Sequence, residues 1–375
     1  VGAPAPGVPL PEADAALRQL LEDYDFQSPG DLSRALAAIV TPALKIGGVL
    51  RGATPVDVGE ADHSQAGKTL RHKLVRAIYR EQAYAVACRE GGVGSLDESI
   101  GQALLSGRPF VVLDNVRGLI GSQYLESIIT TPECVSARVP HRGEVSVDAS
   151  RVTFQLSSNG VETTRDFANR SSIVRIRKQP QGYRFRQYPE GDLLRHVEAN
   201  QAYYLGCVFA VVREWIRRSK PRTDECRHDF REWGQSLDWI VQNLFGAAPL
   251  LDGHVQAQER VSNPALSWLR QICIAAYQAG RCEQELSATD IFELCAEEGI
   301  EFPRRAASAM RREEGNKLVG QLMTKAFQSA ENGILNLDHY RISRLTKTEH
   351  DDKQRKDREV KRYVIENMRS APCAP

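Results

Sequence analysis

No apolar run in the 375 residues is long enough to cross a bilayer. The longest, Ala199 to Ile216, is interrupted by Asn, Gln, Arg and Glu well short of the required span of about 20 residues. A transmembrane helix is therefore excluded. The chain also lacks an excess of either charge: 49 Lys plus Arg stand against 48 Asp plus Glu, a net charge of +1. Any affinity for a polyanion must come from local clustering. Cysteine pairing is absent as a pattern. The eight cysteines are scattered, several at apolar helical positions, with no CxxC and no paired His spacing. They read as reduced thiols of a cytoplasmic protein, and Cys226 with His228 is too few ligands for zinc. The first residues contain no Met, no basic n-region and no apolar h-region. Val1 to Pro11, rich in Pro and Gly, reads as a linker exposed by trimming a longer polypeptide. There is no internal repeat.

What is present fits two or three folded domains. With 42% hydrophobic and 26% charged residues, the chain has the makings of a core. Residues 12–48 read as a helical lead-in, with apolar Ala16, Leu17, Leu20 and Leu21 on one face. Residues 49–190 alternate short β-rich runs with helical ones, which predicts a three-layer α/β domain with a mostly parallel sheet. Within it, Val135 to Val139 and Glu144 to Val147 flank Pro140-His141-Arg142-Gly143 as a β-hairpin. Residues 191–285 predict a helical subdomain of long amphipathic helices, the first over Leu193 to Arg218, packed by Trp215, Trp233, Trp239 and Trp268. Residues 286–368 predict two helices and two β runs split by a charged loop over Lys353 to Arg362, the parts of a winged-helix-like domain.

Three ordered segments carry the chemistry. In Asp62-His63-Ser64-Gln65-Ala66-Gly67-Lys68-Thr69, which follows a β run and opens a helix, Gly67 lets the backbone close on a phosphate. Lys68 reaches the β and γ phosphates, and the Thr69 hydroxyl ligates magnesium. Ser64, Gln65, Ala66, Gly67, Lys68 and Thr69 are the expected nucleotide-binding residues, and amides at the helix start add positive potential. Asp62 replaces the first Gly of the usual P-loop pattern. An ordinary helix cap with an exposed Lys is the competing reading. The second segment, Arg108 to Asn115, is an apolar β run ending in Asp114, the layout of a Walker B strand whose carboxylate holds magnesium. Asn115 stands where the usual catalytic Glu would be, leaving Glu90 or Glu126 as alternative bases. The third, Val152 to Asn159, ends in an amide placed to contact the γ-phosphate or the attacking water. Arg170 follows it in Asp166-Phe167-Ala168-Asn169-Arg170. A turn amide and a surface charge are the plain alternatives for these two residues.

On these segments the chain, over Glu12 to Glu366, resembles the AAA+ P-loop ATPases of the superfamily 3 and D5-like helicase kind, carried by phages, plasmids and integrated mobile elements. The resemblance implies ATP and Mg2+ as cofactors and a homo-oligomeric ring, most readily a hexamer. Arg170 would then act as a finger in the neighbouring subunit's site. It also implies that the hairpin grips single-stranded DNA in the central channel through Arg138, His141 and Arg142, with duplex DNA at the winged helix. The reading is an ATP-dependent DNA motor. Its rivals are a nucleotide-switched DNA-binding initiator or regulator with weak hydrolysis, favoured by Asp62 and Asn115, and an inactive structural subunit of a defence or packaging complex. A further basic stretch, Arg170, Arg175, Arg177, Lys178, Arg184 and Arg186 interleaved with Tyr183, Phe185 and Tyr188, reads either as a second nucleic-acid surface or as a solvated β-ribbon.

Overall fold

The computed structural model describes residues 5–61, 65–86, 95–116, 119–120, 122–139, 143–158, 162–300, 302, 311–327, 330, 332–337, 340–351 and 356–368. It divides into two compact units, Val1–Ser262 and Asn263–Pro375. The boundary drawn from sequence at residue 285 thus lies inside the second unit.

The first unit is α/β. Its six-stranded sheet is built from β1 (Asp25–Phe26), β2 (Val56–Glu60), β3 (Ala83–Val86), β4 (Phe110–Val116), β8 (Thr153–Ser158) and β10 (Ser171–Arg177). The order is β1-β10-β2-β8-β4-β3, and every pairing is parallel except that of β1 with β10. The chain leaves β2 toward one edge of the sheet and leaves β8, its neighbour, toward the other. Adjacent strands whose connections diverge open a crevice at their carboxyl ends, where α/β sheets bind ligands.

Helices cover both faces, because successive strand residues point to opposite sides. One face is packed by α1 (Leu10–Gln19), α2 (Pro29–Ile46), α3 (Lys68–Tyr79), α7 (Leu193–Ala199), α8 (Gln201–Arg217) and α9 (Arg231–Asn243), in one apolar cluster that includes Phe110, Val174 and Ile176 from the strands. The other face carries Val56, Val58, Val111, Leu113, Phe154 and Leu156. These meet α4 (Leu96–Leu105), α5 (Gln123–Thr130), α6 (Arg165–Asn169) and α10 (His254–Ser262). Short β5 (Leu119–Ile120) and β9 (Glu162–Thr163) pair with each other, as do β6 (Val135–Val139) and β7 (Gly143–Val147), the predicted hairpin. The hairpin's inner residues Val135 and Ala137 are buried.

Three sequence expectations change here. The lead-in is part of the core: α2 packs on β10, α8 and α9, and β1 extends the main sheet. The expected linker packs too, since an added Cβ on Gly206 of α8 would come within 2.7 Å of the Pro6 carbonyl oxygen. The helix read over 193–218 is interrupted at Asn200, whose side-chain amide donates to Glu190 and to the His196 carbonyl.

The second unit begins with α11 (Pro264–Gln278), followed by β11 (Glu285–Leu286), α12 (Ala288–Glu297), α13 (Arg312–Ala326), β12 (Ile334–Leu337), β13 (Tyr340–Asp351) and β14 (Lys356–Asn367). Its sheet is antiparallel in the order β11-β14-β13-β12. Its core is separate, so Trp268 packs here while Trp215 and Trp233 pack in the first unit. Gly315 of α13 is where α12 crosses closely; an added Cβ would fall 2.2 Å from the Phe292 ring. The charged stretch read as a loop is largely strand: β14 starts at Lys356 and pairs with β13 over twelve residues. Residues 345–348 of that ribbon are all exposed, so no apolar alternation marks it in the sequence.

Candidate functional site

The turn before α3 is shaped by two residues in the left-handed region, Gln65 at φ 64° and Gly67 at φ 95°. Such a turn gathers successive N–H groups into an anion-binding concavity. Gly67 is the N-cap of a twelve-residue helix and contributes no side-chain cap of its own to the first amides. Glycine is required twice at this position, since an added Cβ would also sit 3.1 Å from Cε1 of Tyr24.

A buried ion pair fixes α3 on its strand. Arg71 donates from Nη2 to Asp57 Oδ1 at 2.6 Å and from Nη1 to Oδ2 at 3.1 Å, with His72 Nε2 at 3.5 Å from the same carboxylate. Burial alone would raise the Asp57 pKa, but the Arg71 and His72 charges and hydrogen bonds outweigh it and hold the carboxyl well below its ordinary range. Arg76 of the same helix donates to Gln155 Oε1 of β8 at 2.6 Å. Helix, β2 and β8 are thereby registered against one another.

At the carboxyl ends of those strands three predicted residues come together. Thr69 Oγ1 donates to Asp114 Oδ1 at 2.9 Å, and Ser157 Oγ of β8 donates to the same oxygen. Lys68 is 8% exposed. Burial lowers its pKa, opposed by the Asp114 and Glu60 carboxylates. A hydroxyl and a carboxylate at the mouth of an N–H concavity are hard oxygen ligands, the donor set a hydrated divalent cation accepts. Among the described residues no group of three or more His, Cys, Asp or Glu forms a metal cluster, so a cation here would keep waters or substrate oxygens as ligands.

The remaining predicted residues divide. Gln65 and Ala66 lie in the turn. Ser64, Asn159, His141, Arg142 and Glu90, with Asp62, lie outside the described residues, and Asn115 is described only as a backbone position of β4. Arg138 is exposed on β6, opposite Glu144. Arg170 is not at the Lys68 cluster. Its carbonyl accepts from Val56 N at the start of β2, whereas Lys68 follows that strand's other end, about 13 Å of extended chain away. Arg170 Nη1 instead faces Glu126 Oε2 at 3.7 Å, and Glu126 Oε1 accepts from Thr164. Glu126 is therefore engaged with Arg170 and Thr164.

The basic stretch is not a β-ribbon past Arg177; residues 178–190 run without regular strand except for a bridge between Tyr188 and Gly191. Nor is its charge all free. Arg177 pairs with Asp25 at 2.7 Å and Arg186 with Glu22 at 3.1 Å, while Asp23 accepts from Tyr183 and the Arg186 amide. The acids come from the α1–β1 region, more than 140 residues away in sequence.

Sequence reasoning did not single out Ser157, Tyr24, or the ion pair of Glu60 with Arg260 of α10. Ser157 was legible in principle, lying on the Asn159 strand on the same side as Gln155. The Glu60 partner, 200 residues distant, has no local signal.

His228 and His254 stack at 5.8 Å beside β10, both buried. His228 Nε2 meets the Ser171 carbonyl, and the Ile173 amide donates to His254 Nε2. Burial pushes His228 down to about 4 and His254 well below its usual value. A folded pKa below the unfolded one near 6.5 means the unfolded chain takes up the proton first, so stability falls as pH drops from about 6.5 toward 4. Denaturant unfolding at pH 5 is expected to show a loss of roughly 2 kcal/mol from His228 alone relative to pH 7. An unchanged unfolding free energy would contradict neutral burial.

No family model matches the sequence, and no curated protein matches it. Among solved structures, the chain is similar to the A form apo structure of the NrS-1 C-terminal region, at 14% identity and a TM-score of 0.39, covering 97% of this chain and 80% of that one. A second A form apo structure of that region, spanning 305–718, gives 13% identity and a TM-score of 0.37, covering 97% and 77%. Likenesses this distant carry no argument about mechanism.

Proposed function

We propose that the chain is an ATP- and Mg2+-dependent DNA motor of the AAA+ helicase kind, a replicative protein of a mobile element that works in the cytoplasm as a homo-oligomeric ring, a hexamer in the simplest case. The observation that carries this reading is the meeting of Thr69, Asp114 and Ser157, from three different elements, at the mouth of the Gly67–Lys68 turn. A plain helix cap would not require an acid from a strand 45 residues away to bond the residue after the lysine. The strand order supports it as well, because β8 lies between β2 and β4 and brings all three carboxyl ends to one crevice.

In this reading the amides after Gly67 and the Lys68 ammonium bind the phosphates, and Thr69 and Asp114 hold the cation. Ser157 orients the Asp114 carboxylate, and Asn159, which follows β8 in sequence, would contact the γ-phosphate or the attacking water. Bound magnesium would neutralise charge on the β and γ phosphate oxygens. Arg170, at the other end of β2 from Lys68, would act in the adjoining subunit after leaving Glu126. The second unit, with β11 on β14 and α13 before the long ribbon, serves as the winged-helix-like duplex anchor. A weakly hydrolysing nucleotide switch remains the second reading, favoured by Asn115 after Asp114 and by the engagement of Glu126 with Arg170 and Thr164.

DNA-stimulated ATP hydrolysis separates the two. The motor should be stimulated severalfold by single-stranded DNA. Replacing Arg138, His141 and Arg142 together with Ala should remove that stimulation and lower the salt slope of single-strand binding by about 0.7 for each lost phosphate contact. Wild-type hydrolysis indifferent to DNA would favour the switch, and an unaltered slope would move the strand away from the hairpin.

A further inference from the structure

Between Arg213 and Arg222, where α8 ends, the chain carries five cations and one acid, Glu214. Arg217 and Arg218 share Glu214 at 2.7 Å, and Arg222 meets Glu232 at 2.6 Å. Arg213 and Lys220 are exposed, and neither has an ion pair among the described residues. Apolar side chains stand among these charges. Phe209, Arg213 and Ile216 recur at i, i+4 and i+7, the spacing of one helix face, and Phe209 is 36% and Ile216 40% exposed. Beside this ridge lies a cleft of about 290 Å3, walled by Ala210, Arg213 and Arg217 of α8 and by Val8 and Leu10 of the segment that packs Pro6 on Gly206.

The far end of the patch is fixed in place. Ser219 and Lys220 both lie in the left-handed region, at φ 68° and 54°, which residues other than glycine rarely adopt. Buried Trp215 holds them there: its carbonyl accepts from the Lys220 amide at 3.0 Å, and its Nε1 donates to the Pro221 carbonyl at 2.9 Å. Lys220 is thereby kept against the end of the helix. Backbone held in such a conformation by its surroundings is characteristic of sites that must keep their geometry.

We propose that this face of α8 binds an acidic peptide segment of a partner protein, with carboxylates on Arg213 and Lys220 and an apolar side chain in the cleft. Charge complementarity selects an acidic partner. Nucleic-acid phosphates would use the cations but leave Ile216 and the aliphatic walls of Val8, Leu10 and Ala210 unfilled. Arginine set beside exposed apolar groups and a cleft is the composition of a protein interface, where an anchoring side chain fills a pocket.

The test is fluorescence anisotropy with the labelled peptide Asp-Glu-Phe-Asp-Asp-Leu-Glu-Glu, a copy with Phe and Leu replaced by Ser, and a labelled thymidine octanucleotide. Each is titrated with wild type, with the double variant Arg213→Glu, Lys220→Glu, and with Ile216→Ser. Wild type should bind the first peptide severalfold more tightly than the Ser copy, and more weakly as salt is raised. The double charge reversal should weaken that binding by about tenfold or more, and Ile216→Ser severalfold. All three side chains are exposed, so both variants should unfold at the wild-type midpoint. Octanucleotide binding should change by less than about twofold. Wild type that does not bind the peptide, unchanged affinity in both variants, or equal affinity for the two peptides would overturn the proposal. Octanucleotide binding lost in parallel with the peptide would make the patch a general polyanion surface instead. Sedimentation showing self-association in wild type that both variants lose would give the face to a second copy of the chain, against the proposal.

Discussion

Lys68→Ala is expected to reduce ATP affinity by about 100-fold or more and to abolish hydrolysis, while leaving the protein folded. Lys68 is buried along most of its length, its ammonium faces the Asp114 and Glu60 carboxylates, and it stands at the start of a helix whose N-cap, Gly67, supplies no side-chain cap. A preorganised charge partly shielded from water is worth more to a phosphate than the same charge in solvent, and removing one such group typically costs about 100- to 1,000-fold in rate. Stability should fall little, since the Asp57–Arg71 pair that fastens α3 to β2 is kept in the variant. Retained ATP binding in a folded Lys68→Ala protein would sink the phosphate-site assignment.

Asp114→Asn should separate the two functions, sparing ATP binding to within roughly tenfold while lowering hydrolysis by about 100-fold or more. The amide keeps the shape and can still bond Thr69 or Ser157, but it carries no charge for the cation. Because Arg170 lies at the far end of β2 from this cluster, a ring predicts complementation. Mixing Asp114→Asn with Arg170→Ala protein should create some interfaces with an intact site and an intact finger, restoring part of the hydrolysis that neither has alone. A mixture as inactive as both parents would place Arg170 in a structural role with Glu126.

Local chemistry was legible in the sequence and distant pairing was not. Gly67, Lys68 and Thr69 are contiguous, and Asp114 ends an apolar run, so pattern alone located the parts that meet in the crevice. The β6–β7 hairpin was equally visible from its turn composition. The α1–β1 region was misread as a lead-in because helix periodicity says nothing of which face will be covered; only the fold shows β1 joining β10 and Tyr24 pressing on Gly67. The acids that meet the basic stretch were not legible for the same reason, being supplied from Glu22, Asp23 and Asp25. The interruption at Asn200, whose side chain bonds Glu190 and His196, was not announced by its apolar surroundings.

Magnesium linkage in ATP binding is the most direct measurement of the Thr69–Asp114 cluster. Titrating ATP into wild type and Asp114→Asn, each with and without Mg2+, should show tightening by the cation in wild type and its disappearance in the variant. Binding of ATP that magnesium affects equally in both proteins, or no binding to wild type at all, would contradict the assignment of this crevice as a nucleotide and cation site.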